Sequence, residues 1–201
     1  MNKKELLKET IQTYEGYANA YDNKWGNYTG LELIADNFIS YLKGKKVIDI
    51  GCGPGRDSKY LSNKGFELTG IDLTNNFLKI AKNKVPAANF YRMDMRQLSF
   101  RNESFDGIWC NGAFLHIPKD ENRLTMQEFY RILNSQGVMY LSVKIGNGEK
   151  IVEKDYWKGR KLFVYYSENE IMDLLKNTGF EIIKTLIRHQ NEDWINIFAR
   201  K

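Results

Sequence analysis

Three closely spaced glycines follow an apolar run early in the chain, in an order suited to holding a ligand against the backbone. Residues 47–50 read Val-Ile-Asp-Ile and predict a buried parallel strand, and Gly51, Gly53 and Gly55 follow directly. Glycine permits a positive φ and lets a ligand approach the main chain closely. A helix is predicted to begin at Arg56. Strand, glycine loop and helix together indicate the nucleotide-binding crevice of a doubly wound sheet.

A second carboxylate stands where such a crevice needs one. Asp72 ends the second predicted strand, 23 residues after Asp49, and a carboxylate there can accept hydrogen bonds from ribose hydroxyls. The glycine pattern also limits which nucleotide ligands the loop is expected to bind. A dinucleotide fingerprint would have its third glycine where Arg56 stands, and a phosphate-binding P-loop would end in Gly-Lys-Ser/Thr, which this loop does not.

With its pattern Asp-x-Gly-x-Gly-x-Gly, the sequence resembles the class I S-adenosylmethionine-dependent methyltransferases over roughly residues 10 to 200. The further motifs that carry the resemblance are Asp72, Met93-Asp94-Met95, Phe105-Asp106-Gly107-Ile108-Trp109, and Ile132-Leu133 with Gly137-Val138-Met139-Tyr140-Leu141. The resemblance implies a single domain over residues 1–201, with an N-terminal helical cap (1–43) and a Rossmann-like α/β core (44–201). The doubly wound core sheet is expected to have seven strands in the order 3-2-1-4-5-7-6, mostly parallel with the last strand antiparallel.

S-adenosylmethionine is the cofactor that the resemblance implies, and the matching positions give its expected contacts. The glycine loop would line the methionine part, Asp72 the ribose, and Asp94 between two methionines the adenine. Arg56 would pair with the cofactor's carboxylate, although an exposed arginine at a helix start is the alternative. Tyrosines of the N-terminal segment would close over the methionine tail, although their spacing also suits plain helix packing. The full set is Tyr14, Tyr21, Asp49, Gly51, Gly53, Gly55, Arg56, Asp72, Leu73, Met93, Asp94, Met95 and Cys110.

One histidine follows the fourth predicted strand, on the edge where a doubly wound sheet places its substrate. His116 lies in the run Leu-His-Ile-Pro, which resembles a bacterial small-molecule subgroup of the family. A histidine there could act as a general base on a hydroxyl or amine acceptor, and a structural histidine is the equal alternative. Residues 144–166 resemble the same subgroup, and Trp157, Arg160 and Tyr165 are candidates for a substrate lid.

Composition limits the partners. The chain has 201 residues, a formal charge of +5 and only two cysteines. Its lysines are dispersed, so nucleic acid is disfavoured as a partner, and neither a membrane-spanning run nor a secretory signal is evident. No cysteine–histidine spacing predicts a metal site.

Together with the resemblance, these limits lead us to expect a cytoplasmic methyltransferase, monomeric or homodimeric, that acts on a small-molecule O, N or S nucleophile. The alternatives are an RNA or protein methyltransferase and a non-catalytic S-adenosylmethionine-binding module.

Hydrophobic periodicity predicts helices over residues 3–24 and 31–42, both placed to cap the ligand-binding edge. Residues 146–161 are polar and rich in glycine and charge, which predicts a loop or flap. Thr74 is the expected N-cap of the helix that follows Asp72, and Pro118 the expected start of another. Ser167 and Glu170 predict a capping box. The chain should close with two strands over 181–188 and 194–200.

Overall fold

Strands and helices alternate along most of the chain in the computed structural model, which describes residues 3–26, 30–154, 156–189 and 192–201. The helices are α1 (Lys3–Trp25), α2 (Glu32–Tyr41), α3 (Arg56–Asn63), α4 (Asn75–Lys84), α5 (Asn122–Ile132) and α6 (Glu168–Thr178), with a short 3₁₀ helix at Phe114–His116. The strands are β1 (Lys46–Ile50), β2 (Glu67–Asp72), β3 (Asn89–Arg92), β4 (Phe105–Asn111), β5 (Leu133–Ile145), β6 (Glu149–Glu153), β7 (Arg160–Tyr166), β8 (Glu181–Arg188) and β9 (Trp194–Arg200).

The central sheet confirms the predicted fold class. Strands β3, β2, β1, β4 and β5 lie side by side in that order and are all parallel. Strand β9 then pairs with β5 in the antiparallel sense, and β8 pairs with β9. When β8 and β9 are counted as the sixth and seventh strands of the core, the order is the expected 3-2-1-4-5-7-6. The first turn after β1 therefore lies where the strand order reverses, which is the ligand-binding position of such sheets.

Two further strands replace part of the loop expected over residues 146–161, and that expectation is wrong. Strands β6 and β7 form an antiparallel hairpin. The polar composition of β6 hid it, because all but one of its residues are exposed. In β7, by contrast, Leu162, Val164 and Tyr166 alternate into the main core, which is the period of a strand.

Strand β7 lies directly beyond the end of β4. It pairs in parallel with the last two residues of β5, Lys144 and Ile145. The other edge of Lys144 is already paired with Trp194 of β9. Strand β7 must therefore lie along the edge that β4 follows only as far as Ser142. The hairpin is thereby placed over the carboxyl end of β4.

The two N-terminal helices have different positions, and only one of them matches the expected cap. Phe38 of α2 is fully buried and packs edge-on against Trp109, in a core cluster with Tyr140 and Phe198. Helix α2 thus covers a face of the sheet rather than its ligand-binding edge. Helix α1 crosses that edge, and it docks on β7, where Thr10 Oγ1 accepts from Leu162 N at 3.2 Å.

Of the three predicted helix starts, Ser167 is confirmed with its capping bond, Thr74 is confirmed in its position, and Pro118 is wrong. Ser167 Oγ accepts from Glu170 N at 3.2 Å, as the predicted cap requires. Thr74 occupies the N-cap position of α4, but its side chain makes no capping bond. The carboxylate of Glu15 on α1 caps α4 instead, accepting from the N–H groups of residues 75 and 76 at 2.6 and 2.9 Å. Pro118 does not start α5, which begins at residue 122.

Candidate active site

A cleft lies at the carboxyl edge of the sheet, between the turns after β1, β2 and β4 and the overlying helix α1. Nine of the thirteen predicted cofactor residues line it. They are Tyr14, Tyr21, Gly51, Gly53, Asp72, Leu73, Met93, Asp94 and Met95. His116 lines the same cleft. The topology has therefore brought residues from α1, from three strand ends and from the 3₁₀ helix to one place.

The glycine loop has the backbone geometry that its sequence predicts. Gly51 and Gly53 have φ angles of +70° and +52°, a region that costs other residues energy. At Gly51 a Cβ atom would lie 2.2 Å from the Cβ of Ala113, so a side chain there would push apart the turns after β1 and β4. The main chain of the loop thus forms one wall of the cleft.

Asp72 is held in place by the backbone on both sides. Its Oδ2 accepts from Gly53 N at 3.0 Å, and its Oδ1 accepts from Thr74 N at 2.8 Å. Burial raises the pKa of this carboxyl, and those two N–H groups act in the opposite direction. Each carboxylate oxygen can accept more than one hydrogen bond. Asp72 therefore presents a fixed carboxylate with remaining acceptor capacity to the cleft.

Asp94 has a partner that the sequence did not reveal. The guanidinium of Arg96 donates to both of its oxygens, at 3.0 and 2.6 Å, and also to Glu121 at 2.6 Å. Burial raises the pKa of Asp94, but the Arg96 hydrogen bonds outweigh it, so the pKa is lowered overall. Asp94 is thus an oriented acceptor with Met93 and Met95 beside it. A basic residue two positions after the aspartate was the available signal.

Tyr14 and His116 form a direct link across the cleft. Tyr14 Oη lies 3.0 Å from His116 Nε2, and His116 Nδ1 lies 2.6 Å from the carbonyl oxygen of Leu162. Because a carbonyl only accepts, Nδ1 carries the proton and Nε2 accepts from the tyrosine hydroxyl. Burial and the nearby Lys161 and Lys144 lower the pKa of His116 to about 4, although the bond to Leu162 opposes them. At neutral pH His116 is an uncharged ring with both nitrogens occupied.

Four predicted cofactor residues are not found among the described residues that line the cleft. Buried Asp49 accepts from Ser58 Oγ at 2.6 Å beneath the loop. Gly55 has no room for a side chain because a Cβ there would lie 2.9 Å from Ala81. Cys110 is fully buried. Packing explains why each of these three residue types stands at its position. That they contact a cofactor stays a prediction.

The fourth of these residues, Arg56, donates to its neighbour rather than projecting into the cleft. Its Nε and Nη2 lie 2.6 and 3.1 Å from the carboxylate oxygens of Asp57. Asp57 also accepts from Trp109 Nε1 at 2.9 Å and from Asn111 Nδ2 at 2.8 Å. Asn111 does line the cleft. Pairing of Arg56 with a cofactor carboxylate stays a prediction, and it would require the guanidinium to divide its donors between two acids.

Several lining residues were missed because only the fold brings them to the cleft. Helix α1 contributes apolar and hydroxyl side chains beside its tyrosines, and α4 contributes a phenylalanine that packs against both Tyr14 and Tyr21. Their helical spacing is that of any buried helix face, so nothing in it marks a ligand site. These residues are Leu7, Thr10, Ile11, Thr74, Phe77, Asn111 and Ile117.

Comparison with known proteins finds similarity to methyltransferases. Residues 47–137 match the family model described as a methyltransferase domain. The chain is 28% identical over 134 residues to a ubiquinone biosynthesis O-methyltransferase of Coxiella burnetii, a match covering 62% of this chain and 57% of that protein. It is 32% identical over 108 residues to the malonyl-[acyl-carrier protein] O-methyltransferase of Salmonella typhimurium, covering 52% and 42%. The matched region thus spans about half the length of these relatives.

A solved structure covers the whole chain. The 1,6-didemethyltoxoflavin-N1-methyltransferase of Burkholderia thailandensis, solved with that compound and S-adenosylhomocysteine, superposes with a TM-score of 0.80 at 18% identity. The match covers 100% of this chain and 91% of that one. At this identity the likeness concerns the fold.

None of the helices in the described parts of the chain combines the length and the apolar character that a membrane span needs.

Proposed function

Because the chain carries the methyltransferase domain of the class I S-adenosylmethionine-dependent methyltransferases, we propose that it transfers a methyl group from S-adenosylmethionine to a small-molecule O, N or S nucleophile. One observation supports this most directly. The carboxylate of Asp72 is fixed by Gly53 N and Thr74 N at the edge of the cleft. A pair of ribose hydroxyls would find their acceptor already in place.

The cleft residues fit this cofactor. Close packing of Gly51 against Ala113 leaves main chain rather than side chains on the wall that would face the methionine part. Asp94, oriented by Arg96, supplies an acceptor for an exocyclic amine. Met93 and Met95 supply polarisable surfaces for an aromatic base. When bound, the cofactor supplies an electrophilic methyl group on a sulfonium.

The chain's own residues would mainly position and enclose the reactants. Helix α1 covers the cleft, with Tyr14 and Tyr21 packed edge to face at 5.9 Å and both in contact with Phe77. Such a roof excludes water and holds two reactants in one geometry. His116 Nε2 could take a proton from an acceptor only if it gave up the hydroxyl of Tyr14. We therefore propose that His116 first positions Tyr14, with proton transfer as a secondary role.

A small-molecule acceptor is favoured over RNA or protein. Helix α1 and the β6–β7 hairpin both cover the carboxyl edge, and they contact each other through Arg160 Nε and Glu9 at 2.8 Å. This enclosure suits a compact ligand. The names of the relatives and of the superposed structure also give metabolites or a carrier-bound acyl group as acceptors. A cofactor-binding module without turnover is the second candidate, since the same cleft would serve it.

Calorimetry tests the proposal at the level of the cofactor. We expect S-adenosylmethionine and S-adenosylhomocysteine to bind at least about tenfold more tightly than NAD, a difference of about 1.4 kcal/mol. Protein with Asp36→Asn, a change on the exposed surface of α2, should bind like the wild type. Equal or tighter binding of NAD would reject the proposed cofactor.

A further inference from the structure

A cluster of aromatic rings and two lysines continues from the His116 end of the cleft along one face of β7. Side chains alternate along a strand, so Lys161, Phe163 and Tyr165 share the face opposite to the one that enters the main core. The other members come from α1, from the end of β5, from the segment after β6 and from β9. They are Tyr17, Lys144, Tyr156, Trp157 and Trp194.

This aromatic–lysine cluster adjoins the place where methyl transfer would occur. The His116 ring stacks on Phe163 with centroids 5.2 Å apart. A Cβ atom at Gly112 would lie 3.5 Å from the Trp194 ring. Gly112 and His116 both line the cleft, just after the carboxyl end of β4. An acceptor that enters the cleft at this end therefore meets the cluster.

The cluster holds more positive than negative charge. The Lys161 ammonium lies 3.6 Å from the centroid of the Tyr14 ring and 3.9 Å from that of Trp157, and only 1% of the residue is exposed. The Lys144 ammonium lies 4.0 Å from the centroid of Phe163 and is paired with Glu192. Within the described parts of the chain, Lys161 has no carboxylate at ion-pair distance.

That unbalanced charge costs free energy, because an ammonium loses hydration on burial and aromatic faces replace only part of it. Burial, together with repulsion from Lys144 and Lys154, lowers the pKa of Lys161 to about 7. An anion nearby would offset the cost. A cation would be repelled by the two lysines.

We propose that the aromatic–lysine cluster is the acceptor subsite, and that it takes a flat, unsaturated molecule carrying one anionic group. The ring of the acceptor lies at the His116 end of the cleft, beside the cluster. Lys161, whose ammonium lies against the Tyr14 ring, and Lys144 supply the positive charge that attracts its anion. This assignment rests on the proposed methyl transfer, whose acceptor it specifies. A carboxylate and an ionised hydroxyl on the ring share the required chemistry.

Four simple probes separate the possibilities: benzoate, phenol, benzamide and benzylamine. Their binding is measured by saturation-transfer NMR, with and without S-adenosylhomocysteine, over pH 6 to 9. At pH 6, where Lys161 is charged, we expect benzoate to bind about tenfold or more tightly than its neutral isostere benzamide, and this preference should weaken towards pH 9 as Lys161 loses its proton. Benzylamine should not compete with benzoate. Phenol, which stays largely uncharged over this range, should bind no more tightly than benzamide.

The matched variants are Lys161→Met and Lys82→Met, the second on the exposed surface of α4. We expect Lys161→Met to lose the preference for benzoate over benzamide while Lys82→Met keeps it. Lys161→Arg should retain it, and Lys144→Met is tested by the same criterion in case Lys161→Met does not fold. Equal binding of benzoate and benzamide, or an unchanged preference in folded Lys161→Met, would overturn the proposal. Failure of the proposed function differs, because either S-adenosylhomocysteine itself would not bind, or a protein that binds it would transfer no methyl group from S-adenosylmethionine to any acceptor.

Discussion

The hydroxyl of Tyr14 lies 3.0 Å from Nε2 of His116 and joins the N-terminal helix to the turn after β4. The other ring nitrogen of His116 bonds to the carbonyl of Leu162 on β7. One imidazole therefore connects three elements that are far apart in the chain. Since both nitrogens are engaged, the ring fixes the roof of the cleft before it can serve as a base.

We expect Tyr14→Phe to lower the free energy of unfolding by about 1–3 kcal/mol, because Nε2 of His116 would lose its donor in an enclosed site. Urea denaturation measures this. Tyr17→Phe is the matched control on the same helix, because within the described residues the hydroxyl of Tyr17 has no hydrogen bond. Equal stability of the two variants would show that the bond does not hold α1 in place.

The pH dependence of stability should carry the signature of His116. Its pKa is lowered to about 4 from 6.5, so between these values the unfolded chain binds a proton that the native state does not. The free energy of unfolding should therefore fall as the pH drops from about 6.5 towards 4, by at most about 1.4 kcal/mol per pH unit from this group. Above pH 6.5 the contribution is constant.

His116→Gln keeps an acceptor and a donor but cannot titrate. The difference between wild type and this variant, measured by urea denaturation at several pH values, isolates the histidine from the carboxylates. A difference that does not change between pH 6.5 and 4.5 would contradict the lowered pKa.

Replacement of Asp72 by asparagine should weaken binding of S-adenosylhomocysteine by about 1.5–3 kcal/mol, the range for hydrogen bonds to a charged group. Calorimetry gives the affinity. Thermal unfolding of the same sample shows whether the variant is folded and how much stability it has lost. A folded Asp72→Asn protein with unchanged affinity would remove Asp72 from the binding site.

Glu15→Ala should destabilise the protein by about 0.5–2 kcal/mol, as the loss of a helix N-cap does. Here the cap comes from another helix, so the same change should also loosen α1 over the cleft. Hydrogen exchange of the α4 amides at residues 75 and 76 measures the first effect directly. Asn19→Ala, on the exposed side of α1, is the control, and equal exchange in both variants would exclude the capping role.

Much of the fold could be predicted because local signals and tertiary structure agree. The apolar strand before Gly51 and the cap at Ser167 each depend on neighbouring residues, and both are present. The β6–β7 hairpin could not be predicted in the same way. Strand β6 is an exposed edge strand of mostly charged residues, and nothing in its own pattern marks its pairing with β7.

The site shows the same division. Asp72 and Asp94 stand at strand ends and are found in the cleft as expected. Arg56 lies next to Asp57, an acceptor one residue away that the sequence displayed, and that pair was overlooked. Lys161 had no local signal at all. The role that we propose for Lys161 follows from its contact with Tyr14, which is 147 residues away in the chain. The Lys161 ammonium lies 3.6 Å from the centroid of the Tyr14 ring.

The most direct test is the transfer of a tritiated methyl group from S-adenosylmethionine, with bacterial extract divided into small-molecule, RNA and protein fractions. We expect the label to enter the small-molecule fraction in the presence of the wild-type protein, and to enter it more slowly with Asp72→Asn. Label confined to RNA or protein would contradict a small-molecule acceptor. Absence of label from every fraction, from a protein that binds S-adenosylhomocysteine, would contradict methyl transfer itself.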